Sequence, residues 1–186
     1  MNLFIQNMVS LRCKLLVKSE LEKLGIPYIS IKLGEVQLKS TISKATRKKL
    51  MEVLHESGLE LICDKKSILI ENIIILVIEK IHYTEELPKV NFSSFLSDKL
   101  QYNYHYIAEI FSKTKGITLE HFIILHKVER IKELIIYDEL NITEISYKMN
   151  YSSVGHLSKQ FKKVTGFTAT FFKNHNNQKR KNIEHL

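Results

Sequence analysis

A repeat within the C-terminal half of the chain constrains its fold more than any other feature. Five residues of the first copy recur 49 positions later and six recur 50 positions later, as identical or similar amino acids. In the first copy these are Leu96, Ser97, Lys99, Leu100, Tyr102, Ile107, Phe111, Lys113, Gly116, Thr118 and Phe122. In the second copy they are Ile145, Ser146, Lys148, Met149, Tyr151, Leu157, Phe161, Lys163, Gly166, Thr168 and Phe172. Each copy is therefore predicted to be a helix, a tight turn and a second helix that ends at glycine, with one extra residue in the second turn.

One long helix is predicted to join the two copies. Residues 119 to 137 place apolar side chains at helical spacing along one side. These are Phe122, Leu125, Val128, Ile131 and Leu134. The C-terminal half is therefore expected to be all-helical.

Positive charge is concentrated in the second copy and after it. Residues 148 to 181 contain eight lysines and arginines and no acidic residue, whereas residues 67 to 147 contain eight basic and twelve acidic residues. With a formal net charge of +8, the chain favours an anionic partner, nucleic acid before membrane.

The second copy has the two faces that a DNA-reading helix needs. Its apolar face consists of Ile145, Met149, Leu157 and Phe161. The polar face that can reach base edges and phosphates consists of Ser152, Ser153, His156, Lys159, Lys162 and Lys163. Gly155 permits close backbone approach, and Ser152 or Ser153 is a suitable N-cap. The alternative is an ordinary amphipathic helix with solvated lysines.

Two longer motifs resemble a known family. The pattern I-x-E-I-x-x-K-x-x-Y-S-S followed by L-S-x-x-F-K-K-x-T-G-x-T, between Ile142 and Thr168, resembles the second helix-turn-helix of AraC-type transcription regulators. The segment V-E-R-I-K-E-L-I, at residues 128 to 135, resembles the linker helix of that family. The resemblance covers about residues 70 to 175. It implies two helix-turn-helix units that a rigid linker helix places in successive major grooves of DNA.

The resemblance also assigns roles to residues of the second unit. The base-reading positions of the family fall on Val154, Gly155 and Lys159. Lys159 is suited to guanine O6 and N7, and Val154 to a thymine methyl group. Phosphate contacts are expected from Lys148, Lys162 and Lys163.

In the first unit the corresponding positions carry a different chemistry. They fall on His105, Ala108 and Glu109, with Tyr104 beside them as a further DNA-facing residue. Glu109 can accept from a cytosine amine but repels phosphate. Two interpretations remain open: the first unit reads DNA, or it mainly packs and contacts DNA loosely. The second unit is expected to dominate binding.

The N-terminal part alternates between strand and helix patterns in the order β-α-β-β-α-β, the plan of ferredoxin-like domains. The predicted segments are residues 3–6, 11–24, 28–32, 36–39, 43–57 and 59–63. Size and order resemble the heavy-metal-associated domain, and residues 7 to 13 occupy the position of its metal loop. Ser10 stands at the first cysteine position, so Cys13 is a weak single-thiolate candidate for metal. The alternative is a retained fold without metal binding, and no cofactor is expected.

A basic helix in this part has two readings that the sequence does not separate. Lys44, Arg47, Lys48 and Lys49 can add non-specific phosphate contacts, or they can form a solvated face.

Other classes of function lack the residues they require. The chain has no P-loop, no G-x-G-x-x-G, no G-x-S-x-G and no paired histidine spacing, so no enzyme is predicted. Two cysteines, Cys13 and Cys63, fit a reducing compartment, and no signal peptide is indicated. Residues 68–83 are predicted to be a helix, and Pro88 is predicted to break the chain before the next helix. The apolar run 68–81 within it is too short and too interrupted to span a bilayer. A cytoplasmic location is expected.

The predicted domains are 1–64, a ferredoxin-like domain, 67–178, an AraC-type DNA-binding domain, and 179–186, a disordered basic tail. The leading hypothesis is a sequence-specific transcription regulator that binds double-stranded DNA, with RNA polymerase as a further partner and no membrane partner. A metal-handling or protein-interaction module is the alternative. An RNA-binding or architectural protein is disfavoured because the helical repeat offers no sheet-borne aromatic residues. The sequence does not indicate the oligomeric state.

Overall fold

A computed structural model describes residues 1–84, 91–137 and 140–175 of the chain. The chain divides into two compact units, one formed by Met1–Leu76 with Asp98–Tyr102 and the other by Val77–Ser97 with Asn103–Leu186. The predicted break at Pro88 and the predicted tail 179–186 lie outside the described residues. Within the described ranges, the N-terminal part contains a small antiparallel sheet and the C-terminal part is helical.

The N-terminal compact unit is built on a four-stranded sheet with two helices between its strands. Its elements are β1 (Asn2–Gln6), α1 (Leu11–Lys23), β2 (Tyr28–Lys32), β3 (Glu35–Leu38), α2 (Lys44–Glu56) and β4 (Glu60–Ile62). The strand order is β2-β3-β1-β4, and every pair is antiparallel. Consequently β1 and β2 run in the same direction with β3 between them.

Alternating side chains of the strands meet regularly spaced side chains of the helices in one core. Leu3 and Ile5 are buried on β1, as the two-residue period of a strand requires. The same core holds pairs four residues apart on each helix, Val17 with Leu21 and Leu50 with Leu54. Each helix begins at a serine N-cap, because the hydroxyl of Ser10 or Ser43 accepts from the backbone amide three residues later.

A third helix, α3 (Lys65–Ile78), continues from the sheet. It begins three residues earlier than the predicted start at Ile68, because the Asp64 carboxylate accepts from the Ser67 amide at 2.8 Å and extends the first turn. Ile75 lies against Gly34, where an added Cβ would come within 2.1 Å of Ile75 Cδ1. The predicted first domain ends at residue 64, whereas the first compact unit continues to Leu76.

The predicted helix 68–83 changes its hydrogen-bonding pattern near its end. Residues Glu79–Tyr83 form a π-helical segment in place of a last α-helical turn. Apolar spacing alone does not separate these two geometries, because both place side chains three to five positions apart on one side.

The remaining helices contain the repeat. They are α4 (Phe92–Leu100), α5 (Tyr104–Lys115), α6 (Leu119–Tyr137), α7 (Ile142–Lys148) and α8 (Val154–Thr165), and residues 169–175 are also helical. Each copy is a shorter helix, a turn and a helix of 12 residues, and α6 joins the copies over the predicted range.

The two copies share the backbone geometry of their turns and ends. Gln101 and Asn150, which are 49 positions apart, both adopt positive φ, at 57° and 55°. Gly116 and Gly166 end α5 and α8 in the left-handed conformation, at φ of 72° and 84°, where a side chain would be strained. The predicted helix–turn–helix and glycine stop are thus present in each copy.

Candidate nucleic-acid interface

The apolar side of the second copy is buried as predicted. Leu157 and Phe161 of α8 are completely buried, and so is Ile145 of α7, while Met149 is 2% exposed. With this side packed inward, α8 turns its other side to solvent. That side carries Ser152, Ser153, Gly155, His156, Lys159, Lys162 and Lys163, all exposed, while Val154 is half-buried.

The start of α8 is held by a small network of polar side chains. Ser153 Oγ accepts from the His156 amide at 3.1 Å and is the N-cap. Ser152 Oγ lies 3.1 Å from His156 Nδ1, so Ser152 fixes the imidazole and does not cap the helix. The His156 ring also contacts the buried Tyr151 ring edge-on, at 5.3 Å between centroids. This arrangement fixes the imidazole at the exposed N-terminus of the helix.

The lysines of α8 carry uncompensated charge. Within the described ranges, no ion pair involves Lys159, Lys162 or Lys163. Lys163 also borders a groove of about 330 Å³ that His121, Ile124 and Leu125 line from α6. Lys148, in the last turn of α7, is half-buried. The exposed side of α8 is therefore a cationic surface.

The corresponding helix of the first copy, α5, presents a more neutral surface. Glu109 is exposed and accepts from Lys113 at 2.6 Å, a bond that lowers the pKa of the Glu109 carboxyl. His105 is also exposed, whereas Ala108 is half-buried and its carbonyl accepts from the Ser112 hydroxyl.

Tyr104, predicted from the sequence as a DNA-facing residue, makes a contact within the protein. Its hydroxyl donates to Glu120 of α6 at 2.6 Å, and its side chain is half-buried. Burial, followed by the bond to the Glu120 carboxylate, raises the pKa of Tyr104 well above its ordinary value. The prediction from sequence did not include this bond, because it depends on how α5 packs against α6.

One exposed aromatic residue of α5 was not predicted as a site residue. Tyr106 is 44% exposed and lies 50 positions before His156. The repeat offset contained the signal that could have identified it, because the same offset of 50 pairs the buried Ile107 and Phe111 of this helix with Leu157 and Phe161 of α8.

The two cysteines of the N-terminal compact unit have separate partners. Cys13 Sγ lies 3.2 Å from Ser10 Oγ, and Arg47 Nη2 donates to Cys63 Sγ at 2.9 Å. Burial raises the pKa of the Cys13 thiol, but hydrogen bonds, the one with Ser10 first, outweigh it and lower the pKa. Among the residues that the structure describes, no group of three or more histidine, cysteine or acidic side chains could hold a metal ion.

The basic helix α2 also has its own partners. Arg47 bonds to Cys63, and Lys48 lies 3.9 Å from Glu52, whereas Lys44 and Lys49 are exposed.

In the described ranges no helix combines the length and apolarity that crossing a membrane requires.

Comparison with known proteins gives matches for the helical part. Residues 96–175 match a protein family described as a helix-turn-helix domain. A similar solved structure is the C-terminal domain of AraT, a response regulator from Geobacillus stearothermophilus, at 19% identity and a TM-score of 0.51, covering 60% of this chain and 88% of that chain. Comparison with curated protein sequences gives no match.

Two further solved structures have lower scores. One is the C-terminal domain of the two-component response regulator yesN from Fusobacterium nucleatum, at 24% identity and a TM-score of 0.48, covering 55% of this chain and 95% of that chain. The other is a DNA-binding transcriptional dual regulator from Escherichia coli K-12, at 13% identity and a TM-score of 0.46, covering 59% of this chain and 93% of that chain.

The two helix–turn–helix copies and the matched family place this part of the chain in the class of helix-turn-helix domains. Within that class, residues 96–175 form a domain of the AraC type, which confirms the resemblance stated from the sequence.

Proposed function

We propose that this protein is a sequence-specific regulator of transcription whose two helix-turn-helix units read successive major grooves of DNA, with the second unit dominant. One observation supports this most strongly: α8 exposes Lys159, Lys162 and Lys163 without acidic partners, on the side opposite its buried residues. Such a helix can enter a major groove while its apolar side stays on the domain. Two such helices on one chain suit an asymmetric site.

Different residues of α8 serve recognition and affinity. Val154, Gly155 and Lys159 face base edges, and Lys159 donates to guanine O6 and N7. Ser152, Ser153 and His156 lie at the helix N-terminus, where amide groups and hydroxyls favour a phosphate. Lys162, Lys163 and Lys148 contact phosphates, so they add affinity and register without selecting a sequence.

The first unit reads DNA through fewer residues. His105 and Glu109 are exposed on α5, whereas Tyr104 and Ala108 are half-buried. Because Lys113 neutralises Glu109, the net electrostatic attraction of this helix for phosphate is small. We therefore assign it a weaker and more local contribution to recognition.

The remaining assignments concern the whole chain. The strand order β2-β3-β1-β4 supports a ferredoxin-like plan for residues 1–64, and residues 67–178 are proposed as the DNA-binding domain. RNA polymerase is a further proposed partner, the proposed location is the cytoplasm, and no catalytic activity is proposed.

Selection of bound duplexes from a random pool tests this function. The full chain is expected to enrich a motif whose two parts are about one helical turn apart, roughly 10 base pairs. Lys159→Ala should alter one part of the motif, and His105→Ala the other. Enrichment of one short part would restrict reading to a single unit, and the absence of any enriched sequence would exclude sequence-specific binding.

A further inference from the structure

Lys127 lies near the middle of α6 and touches parts of both helix-turn-helix units. Its ammonium donates to the carbonyl of Met149 at 3.2 Å, and it lies 5.0 Å from the centre of the Tyr151 ring. The same nitrogen is 5.8 Å from the centre of the Phe92 ring. One cation on the linker helix therefore contacts the turn of the second unit and the first helix of the first unit.

On the side of the second unit, this contact continues to the reading helix. Met149 caps the end of α7, and Tyr151 is the buried residue that follows in the turn. The Tyr151 hydroxyl donates to Gln160 Oε1 on α8. A displacement of Tyr151 relative to α6 would therefore be passed to α8 through a directional bond.

On the side of the first unit, the contact is made with an aromatic pair. Phe92 opens α4 and packs edge-on against Phe95, at 6.5 Å between ring centroids. Lys80, from the π-helical segment, is only 4% exposed and places its ammonium 3.6 Å from the centre of the Phe95 ring and 5.1 Å from that of Phe92. These cation–π contacts hold the start of α4 between two lysines.

An apolar residue at position 127 would stabilise the fold at least as well as the lysine does. Burial, and then the positive charge of Lys80, lowers the pKa of Lys127, so the ammonium is an unfavourable group to place there. A methionine of similar length would fill the space without this cost. Only the ammonium supplies a hydrogen bond whose direction fixes the turn of the second unit on the linker helix.

We propose that Lys127 is a positioning residue that fixes α8 relative to the first unit and thereby sets the spacing of the two DNA segments read together. The inference rests on the proposed function. Lys127 itself contacts no base, so its effect is on the distance between the two parts of the motif and not on the sequence of either part.

The test compares duplexes that carry the motif selected by the wild-type full chain, with its two parts at the selected spacing or one base pair closer or farther. Affinities are measured for wild type, Lys127→Met and Lys132→Met. Lys132→Met is the matched control, because it removes the same charge from α6 and its ammonium bonds only to Glu129 of that helix among the contacts of the described residues.

Wild type and Lys132→Met are expected to lose about tenfold in affinity when the spacing changes by one base pair. Lys127→Met is expected to lose about threefold or less, because α8 is no longer held at one position. Base preference within each part should remain unchanged. Wild-type discrimination in Lys127→Met would overturn the inference, and so would a wild type that ignores spacing while still selecting a sequence.

A second variant covers the case in which Lys127→Met does not fold. Tyr151→Phe deletes one hydroxyl, leaves the ring beneath Lys127 and is expected to weaken spacing discrimination in the same direction. Full discrimination by Tyr151→Phe would contradict the route from Lys127 to α8. Failure of the wild type to prefer any duplex would instead reject the proposed function, and with it this inference.

Discussion

At the scale of single residues, exposed lysines on one helix have different expected effects. Lys159 lies two turns or less from the N-cap Ser153 and on the exposed side of α8, whereas Lys162 and Lys163 lie in its last turn. A side chain near the start of the helix can reach base edges, and side chains near its end meet the sugar–phosphate backbone. Position along the helix is therefore expected to separate residues that recognise bases from residues that add general affinity.

Lys159→Ala is expected to change base preference. Loss of a donor to guanine should cost about 1 to 3 kcal/mol at one base pair and little elsewhere. Lys162→Ala is the control, and it should weaken binding to all duplexes equally and reduce the slope of log affinity against log salt by about 1. Competition binding with single-base variants of the selected duplex measures both. Unchanged preference in Lys159→Ala would remove this residue from the groove.

Glu109→Gln is expected to raise affinity. The change removes a negative charge from the exposed side of α5 and releases Lys113, so affinity for every duplex should rise about threefold at low salt and less at high salt. Glu129→Gln removes the same charge from α6 and serves as the control. A loss of affinity confined to duplexes with cytosine at one position would show instead that Glu109 accepts from that base.

The sequence correctly predicted the roles of residues whose environment is set by neighbouring residues along the chain. Leu157 and Phe161 follow from helical spacing, and Gly166 from the need for a left-handed residue after α8. The choice of Ser153 over Ser152 as the cap did not follow, because both are equally suitable by type and the backbone decides between them. The bond from Tyr104 to Glu120 did not follow from the sequence either, because it joins residues on different helices.

At the scale of elements, apolar periodicity predicted the linker helix α6 correctly but did not predict the geometry of the segment before α4. The bounds of α6 agree with the prediction because its apolar residues keep helical spacing over 19 residues. The π-helical segment Glu79–Tyr83 was not predicted, since its geometry depends on what it packs against. The contacts of His82 and Lys80 with α6 and α4 lie in this segment.

The contact between this segment and α6 is expected to make stability depend on pH. His82 Nε2 and His126 Nδ1 lie 3.3 Å apart, and burial lowers the pKa of both imidazoles. Near and below the ordinary value of about 6.5 the unfolded chain therefore binds more protons than the folded one. The free energy of unfolding should consequently fall as pH decreases through that range.

Denaturant unfolding at pH 7.5 and pH 5.5 measures this effect, with helix content as the signal. His126→Gln should reduce the difference between the two pH values, because it leaves one buried imidazole instead of two. His121→Gln, at an exposed position of the same helix, controls for the loss of a histidine. Equal pH dependence in wild type and His126→Gln would show that other groups cause the destabilisation in acid.

At the scale of the whole molecule, the charge distribution and the N-terminal unit have separate consequences. The eight basic residues between 148 and 181 give the C-terminal end its own attraction for DNA. The N-terminal unit contributes a folded sheet and places the Cys13 thiol in the first turn of α1. The order of strands and helices could be predicted from alternation and turn residues. The groups that contact the Cys13 thiol could not be predicted, because they depend on which side chains surround the loop.

Titration of the full chain with Cu(I), against a competing chelator, is expected to show no tight site. Cys13 has a hydroxyl and a carbonyl as neighbours, and a soft ion requires a second thiolate close by. Ser10→Cys places a thiol 3 residues before Cys13, at the other end of the same short contact, and should create tighter binding. Tight binding by wild type that disappears in Cys13→Ser would revive a metal-handling role.

Next to the second unit, Phe167 is 54% exposed and stacks on Phe171 at 5.1 Å, and Phe171 in turn stacks on His175. The chain contains no tryptophan. Replacing Phe167 by tryptophan would therefore introduce the one indole of the chain, stacked on the Phe171 ring, and no other indole would contribute to its emission. The wavelength and intensity of its fluorescence would depend on the solvent exposure of position 167 and on nearby quenching groups. Binding of a duplex near this position could therefore be measured by fluorescence without an attached dye.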